Sequence, residues 1–265
     1  MYKLAVIGNP ILHSMSPTIF EIFAKECKIN LVYEKLLAKD TLEFNDIVTE
    51  FFKQGGFALN ITSPFKSDAF KLAKLTTARA KFCGAANFLR LDENNDIIAD
   101  TTDGIGLITD IQVNKNLNLR NKNILIIGSG FVLDSVLLDL IAINPFAIDI
   151  LARNQNRTDC ISNKFGCGRF SLNKKYDFIL NTVPNDTNNE LLPQIKELKN
   201  DSFCYDMAYS DFLSNKFYQY MKTLNPNIQI YSGIGMLVEQ AKVAFEQLFN
   251  LTPDVHSVLQ QISRG

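Results

Sequence analysis

A two-part α/β architecture with parallel strands is the fold class this sequence predicts, on three observations. Short β-rich runs alternate with longer stretches of helical period along the chain. A polar break, Arg120-Asn121-Lys122-Asn123, is followed at once by the buried run Ile124-Leu125-Ile126-Ile127-Gly128, where a second unit opens. With 265 residues, 46% of them hydrophobic, the chain is long enough for one large domain or two modest ones.

The elements follow in order. Strands are expected at Lys3 to Ile7, Leu31 to Leu36 and Gly56 to Ile61, then a hairpin of Asn87 to Leu91 and Ile97 to Asp100 turning at Asn94-Asn95. Ser16-Pro17 opens a helix with Ile19, Phe20, Phe23 and Cys27 on one face, proline suiting the first helical position. Beyond the break, strands are expected at residues 124–128, Ile148 to Ala152, Tyr176 to Asn181, Ser202 to Asp206 and Ile228 to Tyr231. Gly235 to Leu248 reads as an amphipathic helix, with Leu237, Ala241, Ala244 and Leu248 on one face.

Composition excludes several classes. Twenty-seven basic against 28 acidic residues give a net charge of −1, with no run of one sign, so neither a nucleic-acid nor a membrane-surface footprint is expected. No apolar stretch approaches the roughly 20 residues a spanning helix needs. The N-terminal apolar run is too short for a signal-peptide core, and the sequons at Asn60, Asn156, Asn185 and Asn250 carry no weight without a secretory signal. Five cysteines lack paired C-x-x-C spacing and are expected to be free thiols in a reducing cytoplasm. His13 and His256 have no companions for a metal, so none is expected.

A buried strand running into Gly128-Ser129-Gly130 and then a helix is the layout of a phosphate cradle, because glycine lets backbone amides and a helix N-terminus approach a pyrophosphate. Phe131, Val132 and Leu133 are bulky where close approach is expected, and alone the motif is equally a plain strand-to-helix turn. About two dozen residues on, the second strand ends without an Asp or Glu to take a ribose 2′-hydroxyl. Arg153 stands there, with Arg157 one turn later, and two guanidiniums suit a 2′-phosphate, favouring NADP over NAD. Without the glycines the two arginines would read as a solvated basic loop.

Four polar clusters stand out in the first half: Ser14-Met15-Ser16-Pro17, Asn60 to Lys66, Gly84-Ala85-Ala86-Asn87 and Thr101-Thr102-Asp103-Gly104. Each falls at a strand end or a helix start, where ligands bind in open α/β sheets. Each also has a plain structural reading: Ser16 and Asp103 as N-caps of helices beginning at Pro17 and near Gly104, and Asn60 and Asn87 as turn residues. Lys66 is harder to dismiss, since it falls in the first turn of a helix, where the macrodipole disfavours a cation. A solvated lysine reaching away is its alternative.

These residues together resemble the shikimate dehydrogenases, whose motifs take the forms S-x-S-P, N-[VI]-T-x-P-[FY]-K, G-A-x-N, N-T-D-G, G-x-G-G, an N-R-T-type loop, Y-D-x-x-Y and G-x-G-M-L-x-x-Q. They correspond to Ser14–Pro17, Asn60–Lys66, Gly84–Asn87, Thr101–Gly104, Gly128–Phe131, Ala152–Arg157, Tyr205–Tyr209 and Gly233–Gln240, in order and over essentially the whole chain. The resemblance implies an N-terminal open α/β substrate domain, residues 1–104 with 235–265, facing a Rossmann-type NADP-binding domain, 105–234, across a cleft. It implies reversible NADPH-dependent reduction of 3-dehydroshikimate to shikimate by a cytoplasmic monomer or homodimer. Lys66 and Asp103 are implied as the catalytic pair. Ser14 and Ser16 would hold the substrate carboxylate with Tyr209 nearby, while Thr62, Asn87 and Gln240 bind ring hydroxyls or the reacting oxygen. Gly128, Ser129, Gly130, Phe131, Val132, Arg153 and Arg157 are implied at the cofactor, with Gly233 near the nicotinamide.

Three positions depart from the motifs: Thr101 for asparagine, Phe131 for glycine and Ala152 for asparagine. Phe131 and Leu133 lead to an expectation of weak NADP binding. Competing readings are a quinate/shikimate dehydrogenase using NAD, which would show an acidic residue near Arg153, a non-catalytic shikimate-binding regulatory module, and a generic reductase for another hydroxy acid.

Overall fold

A computed structural model describes residues 1–184 and 190–262; the sequon at Asn185 and the last three residues of the expected 235–265 segment lie outside the described residues. The strands are β1 (Tyr2–Gly8), β2 (Leu31–Leu37), β3 (Ala58–Ile61), β4 (Leu75–Thr76), β5 (Phe88–Leu91), β6 (Ile97–Asp100), β7 (Asn123–Ile127), β8 (Ala147–Leu151), β9 (Gly168–Arg169), β10 (Phe178–Asn181), β11 (Phe203–Asp206) and β12 (Gln229–Ser232). The helices are α1 (Ser16–Glu26), α2 (Thr41–Lys53), α3 (Lys66–Leu72), α4 (Ala78–Cys83), α5 (Asp103–Thr109), α6 (Val132–Ala142), α7 (Gln155–Phe165), α8 (Lys216–Leu224), α9 (Ile234–Phe249) and α10 (Val255–Ile262). The chain divides into two compact units, Met1–Gly106 with Leu237–Gly265, and Leu107–Met236.

The first unit is a six-stranded mixed sheet in the order β2-β1-β3-β5-β6-β4, with β5 antiparallel to both its neighbours. Alternation along β1 and β3 divides the apolar side chains between two cores. Ala5, Ile7, Leu59 and Ile61 join Phe44, Val48 and Phe65 on one side, whereas Leu4 and Ala58 join Ile19, Phe20, Phe23, Ala241 and Phe245 on the other. Helices thus cover the sheet, and the ends of β3 and β6 deliver their polar residues to the helix starts that follow.

The second unit is a parallel six-stranded sheet in the order β12-β11-β10-β7-β8-β9. Counted within the unit this is 6-5-4-1-2-3, the doubly wound order whose reversal beside its first strand opens a crevice at the strand C-termini. Ile124 and Ile126 face one core with Leu133 and Leu137, and Leu125 and Ile127 face the other with Phe217 and Met221. Burial on both faces explains the unbroken apolar run in β7.

Some local expectations are corrected. The first helix starts at Ser16, after Met15, and has no side-chain cap; Ser16 instead donates its amide to Ser14 Oγ at 3.3 Å. Asp103 is the first residue of α5 and not a cap outside a helix at Gly104. Asn60 belongs to β3 and is not a turn residue, whereas Asn87 sits at the bend directly before β5. Leu133 is fully buried in the core under α6. All five cysteines are free, and among the described residues no helix is long and apolar enough to cross a membrane.

Candidate active site

Lys66 begins α3 and Asp103 begins α5, and Lys66 Nζ lies 2.7 Å from Asp103 Oδ2. The helix ends set opposite conditions: the positive end of α5 favours the carboxylate, and that of α3 disfavours the ammonium. Pairing compensates the lysine. The Lys66 carbonyl also accepts the Ala86 amide at 2.8 Å, tying the start of α3 to the Gly84–Asn87 loop. With side chains 16% and 9% exposed, the pair is sheltered enough to interact strongly and still open to a small ligand.

Asn87, 3% exposed, is the hub. Its Oδ1 accepts the Thr102 amide at 2.8 Å, which settles the orientation of the carboxamide. Its Nδ2 then faces Thr102 Oγ1 (3.0 Å), Asp103 Oδ1 (3.0 Å) and Gln240 Oε1 (3.1 Å), three acceptors for two hydrogens. Gln240 reaches the cluster from α9, its Nε2 donating to the Leu237 carbonyl at 2.9 Å. An excess of fixed acceptors beside one ammonium suits a ligand that brings hydroxyl donors.

Ser14 and Ser16 form a second polar group beside Tyr33, whose hydroxyl donates to Asn60 Oδ1 at 2.6 Å. Burial pushes the Tyr33 hydroxyl pKa above the usual tyrosine value, opposed by a hydrogen bond with the Ser16 side chain. Asn60, 6% exposed, leaves Nδ2 with no partner among the described residues. A buried, unmatched amide donor beside hydroxyls fits an anionic oxygen. The Thr62 hydroxyl has no protein partner among the described residues, and its methyl leaves no room for a Cβ at Gly8.

The sequence did not point to Tyr33 or Thr102 individually. Tyr33 reads as an ordinary strand residue, and its partner lies 27 positions away. Thr102 sits inside a cluster already singled out, and only the fold shows its hydroxyl against Asn87 and Gln240.

In the second unit, β7 runs into Gly128 at φ 111°, where a Cβ would collide with Thr182 Oγ1 and come within 2.7 Å of Val183 Cγ2. Only glycine fits. Among the described residues a Cβ at Gly130 would meet nothing within 4 Å. The N-cap of α6 is Phe131, with no side-chain cap, and among the described residues the amides of Ser129, Gly130, Phe131 and Val132 have no protein acceptor. Unpaired amides at a helix N-terminus with open space before them suit a pyrophosphate.

Arg153, exposed just past β8, has no partner among the described residues, whereas Arg157 is ion-paired to Asp134. Tyr209 lies half-buried after β11, its hydroxyl pKa raised by burial. Gly233 follows β12, and a Cβ there would strike the Met207 carbonyl, so that close approach demands glycine.

The chain is similar to known proteins along its length. A family model described as the shikimate dehydrogenase substrate binding domain matches residues 6–89, and one for the shikimate 5′-dehydrogenase C-terminal domain matches 233–262. The shikimate dehydrogenase (NADP(+)) of Legionella pneumophila (strain Lens) is 37% identical over 98% of both chains. That of Vesicomyosocius okutanii is 39% identical over the full length of both. Among solved structures, an Ael1 enzyme from Pseudomonas putida superposes with a TM-score of 0.89 at 30% identity, covering 98% of both chains. The shikimate 5-dehydrogenase of Thermus thermophilus, solved with NADP(H) and shikimate, shares the fold at a TM-score of 0.87 and 19% identity, covering 100% of this chain and 99% of that one.

Proposed function

This chain belongs to the shikimate dehydrogenase family, and on that premise we propose the reaction and the role of each residue. The chain is an NADP-dependent oxidoreductase that interconverts shikimate and 3-dehydroshikimate, working in the cytoplasm as a monomer or homodimer. The Lys66–Asp103 pair at 2.7 Å carries this reading, because reduction of a ketone needs a proton source where an alkoxide develops.

Residues 1–104 with 235–265 hold the substrate. Ser14 and Ser16 bind its carboxylate, with the unmatched Nδ2 of Asn60 as a further donor and the Tyr33 hydroxyl holding the Asn60 carboxamide at Oδ1. Thr62, Asn87 and Gln240 take the ring hydroxyls or the reacting oxygen, as the surplus of acceptors around Asn87 supports. Asp103 orients the Lys66 ammonium and holds its charge, and the pair moves the proton at the reacting oxygen.

Residues 105–234 hold the cofactor. The open space at Gly130 and the unpaired amides of 129–132 fit its pyrophosphate; Arg153 and Arg157 take the 2′-phosphate, and Gly233 lies by the nicotinamide. NADP supplies or accepts the hydride when bound. The test is absorbance at the reduced-nicotinamide band with shikimate and either NADP or NAD. Reduction of NADP far faster than of NAD is expected; shikimate binding without reduction of either cofactor would favour a regulatory module.

A further inference from the structure

Two residues at the start of α6, its N-cap Phe131 and Asp134 in its first turn, converge on Arg157. The Phe131 ring, 55% exposed, has the Arg157 guanidinium 5.9 Å from its centroid. Asp134, 1% exposed, takes Arg157 Nη2 on Oδ2 and Lys164 Nζ on Oδ1, the latter at 2.9 Å. The cofactor reading leaves both side chains without a role, and the sequence alone makes Phe131 look like damage to the cradle.

We propose that Phe131 and Asp134 are specificity-determining positioning residues that hold Arg157 as a fixed receptor for the cofactor's 2′-phosphate. This rests on the NADP reading above. The charges come first. A carboxylate buried beside a phosphate site would repel the ligand and be costly unless paired. Asp134 is paired twice, so Lys164 balances it and the cluster of Asp134, Arg157 and Lys164 keeps one net positive charge. Arg157 is therefore anchored and not cancelled.

The geometry follows. A guanidinium carries five N–H donors, and here only Nη2 meets a protein acceptor among the described residues. The remaining donors belong to a side chain still 30% exposed. Held at one edge by a carboxylate and along one face by an aromatic ring, the side chain has little rotamer freedom left to lose on meeting a phosphate. Phe131 thus supports a guanidinium beside the pyrophosphate cradle. NAD lacks the 2′-phosphate, so the two residues bear on discrimination between the cofactors and not on dinucleotide binding in general.

The experiment is equilibrium titration of the full chain with NADP+, NAD+ and adenosine 2′,5′-bisphosphate, comparing wild type with Phe131→Ala, Asp134→Asn and Asp134→Ala. Phe131→Ala and Asp134→Ala are each expected to weaken NADP+ and the bisphosphate about tenfold while changing NAD+ less than about twofold. Asp134→Asn keeps one acceptor for Arg157 and should fall between. An unchanged ratio of NADP+ to NAD+ affinity in both alanine variants would overturn the proposal, as would tighter NADP+ binding in Asp134→Ala, which would mean that the carboxylate sequesters Arg157. Should Asp134→Ala fail to fold, Phe131→Ala, at an exposed position, decides alone. Equal wild-type affinity for the two dinucleotides would remove the receptor, yet shikimate oxidation with NAD would still be measurable. Conversely, a lost preference in the variants without any shikimate oxidation would sink the dehydrogenase reading and leave the receptor standing.

Discussion

The two halves of the machinery are built from different material. Around Asn87 the groups proposed to face the ligand are side chains, held to one another by hydrogen bonds of 2.7 to 3.1 Å among Asn87, Lys66, Asp103, Thr102 and Gln240. At the end of β7 they are backbone amides, and no side chain of 129–132 is asked to meet the pyrophosphate. A site of side chains requires particular residue types. A site of amides requires a backbone path, which several sequences can trace, and that tolerance explains how Phe131 can stand where its family motif has glycine.

That contrast is open to breakage, most severely at Lys66. Lys66→Ala should lower kcat by about 10²- to 10⁴-fold while shikimate still binds by direct titration. Gly128→Ala should come next, as a loss of folding: the added methyl meets Thr182 and Val183 on a backbone at φ 111°, for roughly 2 to 4 kcal/mol in a denaturant melt. Asn87→Ala removes the hub and should cost roughly 10- to 100-fold in kcat/KM for shikimate, since it leaves several buried groups unmatched.

Gly130→Ala sharpens the comparison. Nothing among the described residues meets its methyl, so the melting temperature should stay unchanged while KM for NADP rises about tenfold through lost approach to the amides. The smallest effect is expected for Tyr33→Phe. Losing a single hydroxyl contact at Asn60 should raise KM for shikimate about threefold to tenfold, with kcat little altered.

The same division governs what could be read in the sequence. The longer strands of both sheets were legible because burial on both faces leaves unbroken apolar runs in β1 and β7, whereas β4 and β9, two residues each, are too short to carry a pattern and were not expected. Lys66, Asp103, Asn87 and Gln240 were legible as motif residues, but their convergence depends on pairings up to 153 positions apart. Tyr33 left no trace because nothing near it in the chain predicts Asn60 as its neighbour. Leu133 misled for a physical reason: its bulk, suspect beside a phosphate, is directed into the core beneath α6. The contacts of Phe131 and Asp134 with Arg157 went unnoticed because Arg157 comes from the next βα unit.

The contrast between the halves is tested most directly by steady-state NADP reduction with shikimate in Lys66→Ala and Gly130→Ala side by side. Lys66→Ala should lose kcat with KM for NADP unchanged, and Gly130→Ala should keep kcat at saturating NADP with KM raised. A Lys66→Ala enzyme that turns over normally, or a Gly130→Ala enzyme that loses kcat at full saturation, would contradict the assignment of chemistry to the side chains and of cofactor binding to the backbone.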